Sequence, residues 1–201
     1  MSEEDIIRFC APTLAGLKTG SVFVCRFAGI EELRTEIRSL NRRFAGKGMR
    51  ILPLSFKNNR ALLYFFRPGL LKQSLDDVKV CRILSQRGYN CGSPDRCIAR
   101  LMEQLRTSKE FPHEIGLFLG YPPEDVQGFI EHRMTGCKCT GCWKVYGNLD
   151  KAEQIFASYK QCTDCYLRNW RLGKTLEFLT VSMPKTDGGE NNKKRKGDQH
   201  E

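Results

Sequence analysis

Ser21-Val-Phe-Val-Cys-Arg-Phe27, the run from Glu31 to Phe44, Arg50-Ile-Leu-Pro-Leu-Ser-Phe56 and Arg60-Ala-Leu-Leu-Tyr-Phe-Phe66 follow one another in a single stretch, and their order decides the fold. The first, third and fourth segments are rich in β-formers. The second carries Leu33, Ile37, Leu40 and Phe44 at helical spacing, so the stretch reads β-α-β-β. Lys57-Asn58-Asn59 separates the last two strands, and because Asn tolerates positive φ, Asn58-Asn59 predicts a two-residue hairpin turn. Pro53 cannot donate to a ladder, so its strand is expected at an edge or beside a bulge.

Beyond Pro68 the pattern turns helical. Helices are expected over Leu75 to Tyr89, over Ser93 to Thr107, opened by the capping sequence Ser93-Pro94-Asp95, and over Lys151 to Trp170, where Ala152, Ile155, Phe156 and Tyr159 share a face. Leu176 to Val181 reads as a last strand. The fold class is therefore α+β, a small mixed sheet covered by a mainly helical C-terminal half. It forms one globular domain over residues 1–184, followed by a disordered polar tail over 185–201.

At 201 residues the chain is long enough to bury a core without disulfides. Its first residues are acidic, and no apolar run approaches the roughly 18 residues of a membrane span, so the expectation is a cytoplasmic protein with no membrane partner. The tail holds five basic residues against four acidic ones, which leaves most of the +10 formal charge on the folded part. Such a surface suits an acidic protein partner or a nucleic acid, or is simply a solvated face.

Ten cysteines in a reducing compartment call for another role than bridging. Cys139, Cys142, Cys162 and Cys165 form two C-x2-C pairs with nineteen residues between them, the spacing of a four-thiolate zinc site. Gly136 and Gly141 would let the first loop turn tightly, and Cys162 and Cys165 would share a helix face. Cys137 adds a fifth thiol, which leaves room for an iron-sulfur cluster or an exchanging redox thiol. The competing expectation is five reduced cysteines packed as small hydrophobes.

Glu114 to Ile130 predicts a helical hairpin: Gly116 permits close approach, Gly120 makes the turn, and Ile115, Leu119, Val126 and Phe129 form the shared core. It mimics a DNA-binding helix-turn-helix, but Glu124 and Asp125 open the second helix where phosphates would lie, and they are equally explained by the helix dipole. No Walker loop, dinucleotide fingerprint, serine-hydrolase elbow or zinc-protease helix occurs, so no catalytic constellation is recognised. A pocket is the third option, from Cys10, His113, Glu114, Tyr121, Trp143, Lys144, Tyr146 and Tyr159. Trp143 and Tyr146 would bury the neighbouring site or stack on a planar ligand. The loop after Cys10, with Leu17-Lys18-Thr19-Gly20, reads as a helix end rather than a pocket wall.

Cys10-Ala-Pro-Thr-Leu-Ala-Gly16, Phe111 to Val126, Gly128-Phe-Ile130, Trp143-Lys-Val-Tyr-Gly147, Tyr159-Lys-Gln-Cys162 and Leu179-Thr-Val181, in that order, resemble the bacterial domain-of-unknown-function family 3793, common in anaerobic Firmicutes. The resemblance runs to about Val181 and implies no particular activity. Its members are alike around Trp143 to Gly147 and at the position of Cys162, but do not all carry cysteine at 137, 139, 142 and 165. That implies a metal site confined to a subset of the family, or none.

Overall fold

The computed structural model describes residues 1–133 and 135–183, so the tail expected beyond Lys185 lies outside the described residues. Helix α1 (Glu3–Leu14) is started by Ser2, whose hydroxyl accepts from the Asp5 amide at 3.1 Å, with three acidic residues in its first turn. Then come β1 (Gly20–Arg26), α2 (Ile30–Phe44), β2 (Arg50–Lys57) and β3 (Arg60–Phe66), the expected β-α-β-β order. Asn58 and Asn59 both turn at positive φ, 50° and 55°, as the hairpin required.

The strand order is β1-β3-β2, with both pairings antiparallel. The sheet is thus antiparallel throughout rather than mixed. The crossover through α2 does leave β1 and β2 running the same way, but the hairpin folds β3 between them, so no parallel ladder forms. Pro53 sits on edge strand β2 next to a register shift, which satisfies both of its expected roles.

Central strand β3 explains why its sequence is almost continuously apolar: the sheet is covered on both faces. Ala61, Leu63 and Phe65 point into one core with α1 and α2, whereas Tyr64 and Phe66 point into a second with the helices that follow. Those are α3 (Pro68–Leu75), α4 (Val78–Ser85), α5 (Pro94–Thr107), α6 (Ile115–Phe118) and α7 (Pro123–His132). The helix expected from Leu75 to Tyr89 is corrected to α3 and α4, because Asp77 leaves the helical path and accepts from the Lys79 and Val80 amides as a cap. A two-stranded ribbon, β4 (Cys139–Thr140) and β5 (Lys144–Val145), leads into the long α8 (Leu149–Arg171), which lies along α1. The expected last strand is instead a short helix, α9 (Leu176–Leu179), capped by Thr175. No helix among the described residues is long and apolar enough to cross a membrane.

Burial also sets a pH response. Tyr64 and Cys10 are pushed up by desolvation, as are Tyr121, Tyr159 and Tyr166, each to about 12 from an ordinary 10.0. A folded pKa above the unfolded one contributes stability that is complete below the unfolded value and lost as pH rises through the folded one. The urea midpoint should therefore hold to about pH 9 and fall steadily toward pH 12. Tyr64→Phe should reduce that slope, and a midpoint flat across the range would contradict the assignment.

Candidate functional site

The five cysteines of the spacing motif lie on the ribbon and on α8, and their surroundings differ. Cys137 is near Tyr146, and Cys142 faces Lys18, Tyr121 and Tyr159. Cys139 packs beside Trp143 and Val145. Cys162 and Cys165 are neighbours one turn apart on α8, with Tyr166 beside Cys162 and the Asn169 amide donating to the Cys165 sulfur at 3.5 Å. All ten thiols are free. Among the described residues, no group of three or more Cys, His, Asp or Glu side chains is arranged to hold a metal ion. The zinc or iron-sulfur expectation thus meets no assembled ligand shell in this arrangement.

What organises the ribbon is Asp125, which is 3% exposed. Its carboxylate accepts from Trp143 Nε1 at 2.7 Å, from the Tyr146 amide at 2.8 Å and from the Gly147 amide at 2.7 Å. Three donors satisfy a buried charge that would otherwise be costly. The first turn of α7 is therefore occupied by the segment from Trp143 to Gly147. Close backbone approach is part of the fit: a Cβ on Gly147 would meet Glu124 Cγ at 2.6 Å, and one on Gly128 would meet the Tyr146 ring at 2.5 Å. Held this way, Trp143 lies against Tyr121 with ring centres 4.8 Å apart and takes the edge-on Phe156 at 4.5 Å.

The loop after α1 closes on the same place. The Leu17 and Lys18 amides donate to the Pro12 carbonyl, the Arg67 amide donates to the Thr19 carbonyl, and Gly120 turns at φ 80° against Thr19. A Cβ on Gly120 would sit 2.6 Å from Thr19 Oγ1, so only glycine lets hairpin and loop touch. Lys18 Nζ stands 5.1 Å from the centre of the Tyr121 ring and 5.9 Å from that of Tyr159, with Cys10 and Cys142 nearby. Burial draws its pKa below the ordinary lysine value, and among the described residues no carboxylate pairs with it. Burial also pushes the Cys142 thiol up, although Lys18 pulls the other way.

Two hollows share the Tyr121–Trp143 wall. One, of about 310 Å³, is mostly apolar and takes in His113, Gly116, Phe129 and Lys144; the other, a more polar cleft of about 520 Å³, takes in Thr19, Lys151, Ile155 and Tyr159. His113 packs edge-on to Phe129, and its Nε2 is 2.7 Å from the Arg133 guanidinium; burial, helped by Arg133, lowers its pKa, so the ring is the neutral acceptor.

Of the expected pocket residues, His113, Tyr121, Trp143, Lys144 and Tyr159 line these hollows. Tyr146 instead donates to the Arg133 carbonyl, and the buried Glu114 accepts from the Tyr89 hydroxyl at 2.9 Å with Arg87 at 4.0 Å. Cys10 is sealed in the first core, beneath Lys18. In sequence Lys18 reads as part of a helix end and Asp125 as a dipole partner, because neither side chain's partners are local. A family model described as "Protein of unknown function (DUF3793)" matches residues 6–180. No curated protein and no solved structure is matched by the chain.

Asp125→Asn replaces one acceptor oxygen with a donor facing donors, and should cost about 2–3 kcal/mol of stability. In a Trp170→Phe background, Trp143 emission should shift to the red; unchanged emission and stability would show that the carboxylate does not hold the ring. A chelator added to protein purified without oxygen should leave the melting temperature unchanged, whereas a fall reversed by zinc would mean that the thiols gather around an ion.

Proposed function

The chain belongs to the DUF3793 family, and we propose that this protein binds a small molecule that brings an anionic group to Lys18 and a flat apolar part to Tyr121, Trp143 and Tyr159. One observation carries the reading: an ammonium largely withdrawn from water, over two tyrosine rings, with no carboxylate partner among the described residues. Ring faces return about 0.5–2 kcal/mol to such a cation, less than full hydration supplied. A ligand carboxylate, sulfonate or phosphate restores the missing counter-charge with a hydrogen bond to a charged group worth about 1.5–3 kcal/mol. The aromatic wall supports the other half of the reading, because rings that are already packed and oriented lose little entropy when a planar ligand joins them.

This takes up the pocket expectation, here centred on a lysine, in preference to the thiol and nucleic-acid expectations. Among the described residues the thiols of the C-x2-C pairs are not gathered into a group that could hold a metal ion. The α7 first turn is engaged by the ribbon through Asp125, which leaves little of it for a groove of DNA.

Anilinonaphthalene sulfonate, an anion with flat rings, serves as the probe. The folded protein should bind one molecule with enhanced fluorescence, Lys18→Met should weaken it about tenfold or more, and Lys18→Arg should largely retain it. Leu172→Ser, at a site 79% exposed on the far end of α8, should change nothing. Equal binding by Lys18→Met protein that still unfolds cooperatively would overturn the proposal.

A further inference from the structure

The connection between α4 and α5 gathers three thiols that lie outside the C-x2-C motif. Cys91, on that connection, points its sulfur back at α4 and donates to the Cys81 carbonyl at 3.6 Å. Cys97, in the first turn of α5, is fully buried and donates to the Asn90 carbonyl at 3.1 Å. Cys81 is partly exposed, its sulfur 3.9 Å from Ser85 Oγ. The Cys81 and Cys97 thiols both lie near the Cys91 thiol. The connection is tightly built: Gly88 turns at φ 76°, Tyr89 donates to the Leu84 carbonyl, and Asn90 Oδ1 accepts from Gly92.

We propose that Cys81 and Cys91 form a redox-active dithiol that closes to a disulfide by exchange with a low-molecular-weight disulfide of the glutathione class. Cys81 is the entry thiol because its sulfur stays at the surface beside Ser85, whereas the Cys91 sulfur is turned inward onto α4 and Cys97 is sealed and committed to Asn90. Its thiolate attacks one sulfur of oxidised glutathione, forming a mixed disulfide and expelling one glutathione thiolate. The Cys91 thiolate then attacks the Cys81 sulfur, forming the intramolecular disulfide and expelling the second glutathione thiolate. The two protons lost by the cysteines end on the two glutathiones, so one disulfide is reduced as one is formed. With the Cys91 sulfur already 3.6 Å from the Cys81 carbonyl oxygen, side-chain rotation brings the two sulfurs toward the roughly 2.05 Å of a disulfide. Closure also constrains the segment that presents Tyr89 to Glu114 at the start of the helical hairpin. The inference does not depend on ligand binding at Lys18.

Trypsin separates the three thiols, cutting after Lys79, Arg82, Arg87, Arg96 and Arg100. Full-length protein is equilibrated with oxidised glutathione at neutral pH, alkylated and digested for mass spectrometry. The expected product joins the 80–82 peptide to the 88–96 peptide, leaves Cys97 alkylated, and returns to two free thiols with excess reduced glutathione. Cys91→Ser should trap glutathione on Cys81, and Cys91→Ala serves if the serine variant fails to unfold cooperatively. A stable glutathione adduct on wild-type Cys81, no modification of Cys81, or a Cys91–Cys97 link would each overturn the proposal.

Discussion

The rest of the structure depends on a buried guanidinium. Arg67 leaves β3 with its side chain wholly inside the protein, and it donates to the Thr13 carbonyl at 2.8 Å, the Lys47 carbonyl at 2.6 Å and the Leu14 carbonyl at 2.5 Å. Two of those carbonyls end α1, where the negative end of the helix dipole favours a cation. The third belongs to the turn between α2 and β2. A rigid fork with five donors is suited to meeting three separated carbonyls, and lysine is not. One side chain thereby joins the first helix, the crossover and the central strand, and its own amide holds Thr19. The loop that carries Lys18 leaves α1 in a fixed direction for that reason.

Asp125 is the counterpart on the other side of the site. It turns a short, irregular ribbon into a fixed wall by giving Trp143, Tyr146 and Gly147 one acceptor group. Arg67 therefore sets one lip and Asp125 the other, and Gly120 against Thr19 joins them without a side chain between. Lys18, Tyr121, Trp143 and Tyr159 come from four separate segments of the chain, and the geometry among them is a product of these three contacts.

The cysteines teach a different lesson. Spacing of C-x2-C pairs constrains only what one loop or one helical turn can present, and both halves of the pattern do form as local units, one on the ribbon and one on α8. Whether two such halves face one another is set by how the ribbon packs on α8. Here Phe156 fits against Gly141 and Trp143, and the contact is made through rings. Meanwhile Cys81, Cys91 and Cys97, whose spacing resembles no motif, are brought together by a tight connection between two helices. Thiol proximity followed tertiary packing in both cases.

Local chemistry alone determined the three strands of the first sheet, the Asn58-Asn59 turn, the edge position of Pro53 and the hairpin glycines, because alternation, positive φ and missing amides act over a few residues. It misjudged what depends on neighbours: the break at Asp77, the helix at Leu176 and the antiparallel sheet follow from caps and strand order that a linear pattern does not carry. Only the tertiary structure decided that Arg67 would be buried, that Asp125 would accept from the ribbon, and that Lys18 would stand among aromatic rings without a carboxylate. A charged side chain looks the same in sequence whether water or protein surrounds it, and the desolvation that gives these three their roles exists only once distant segments have packed.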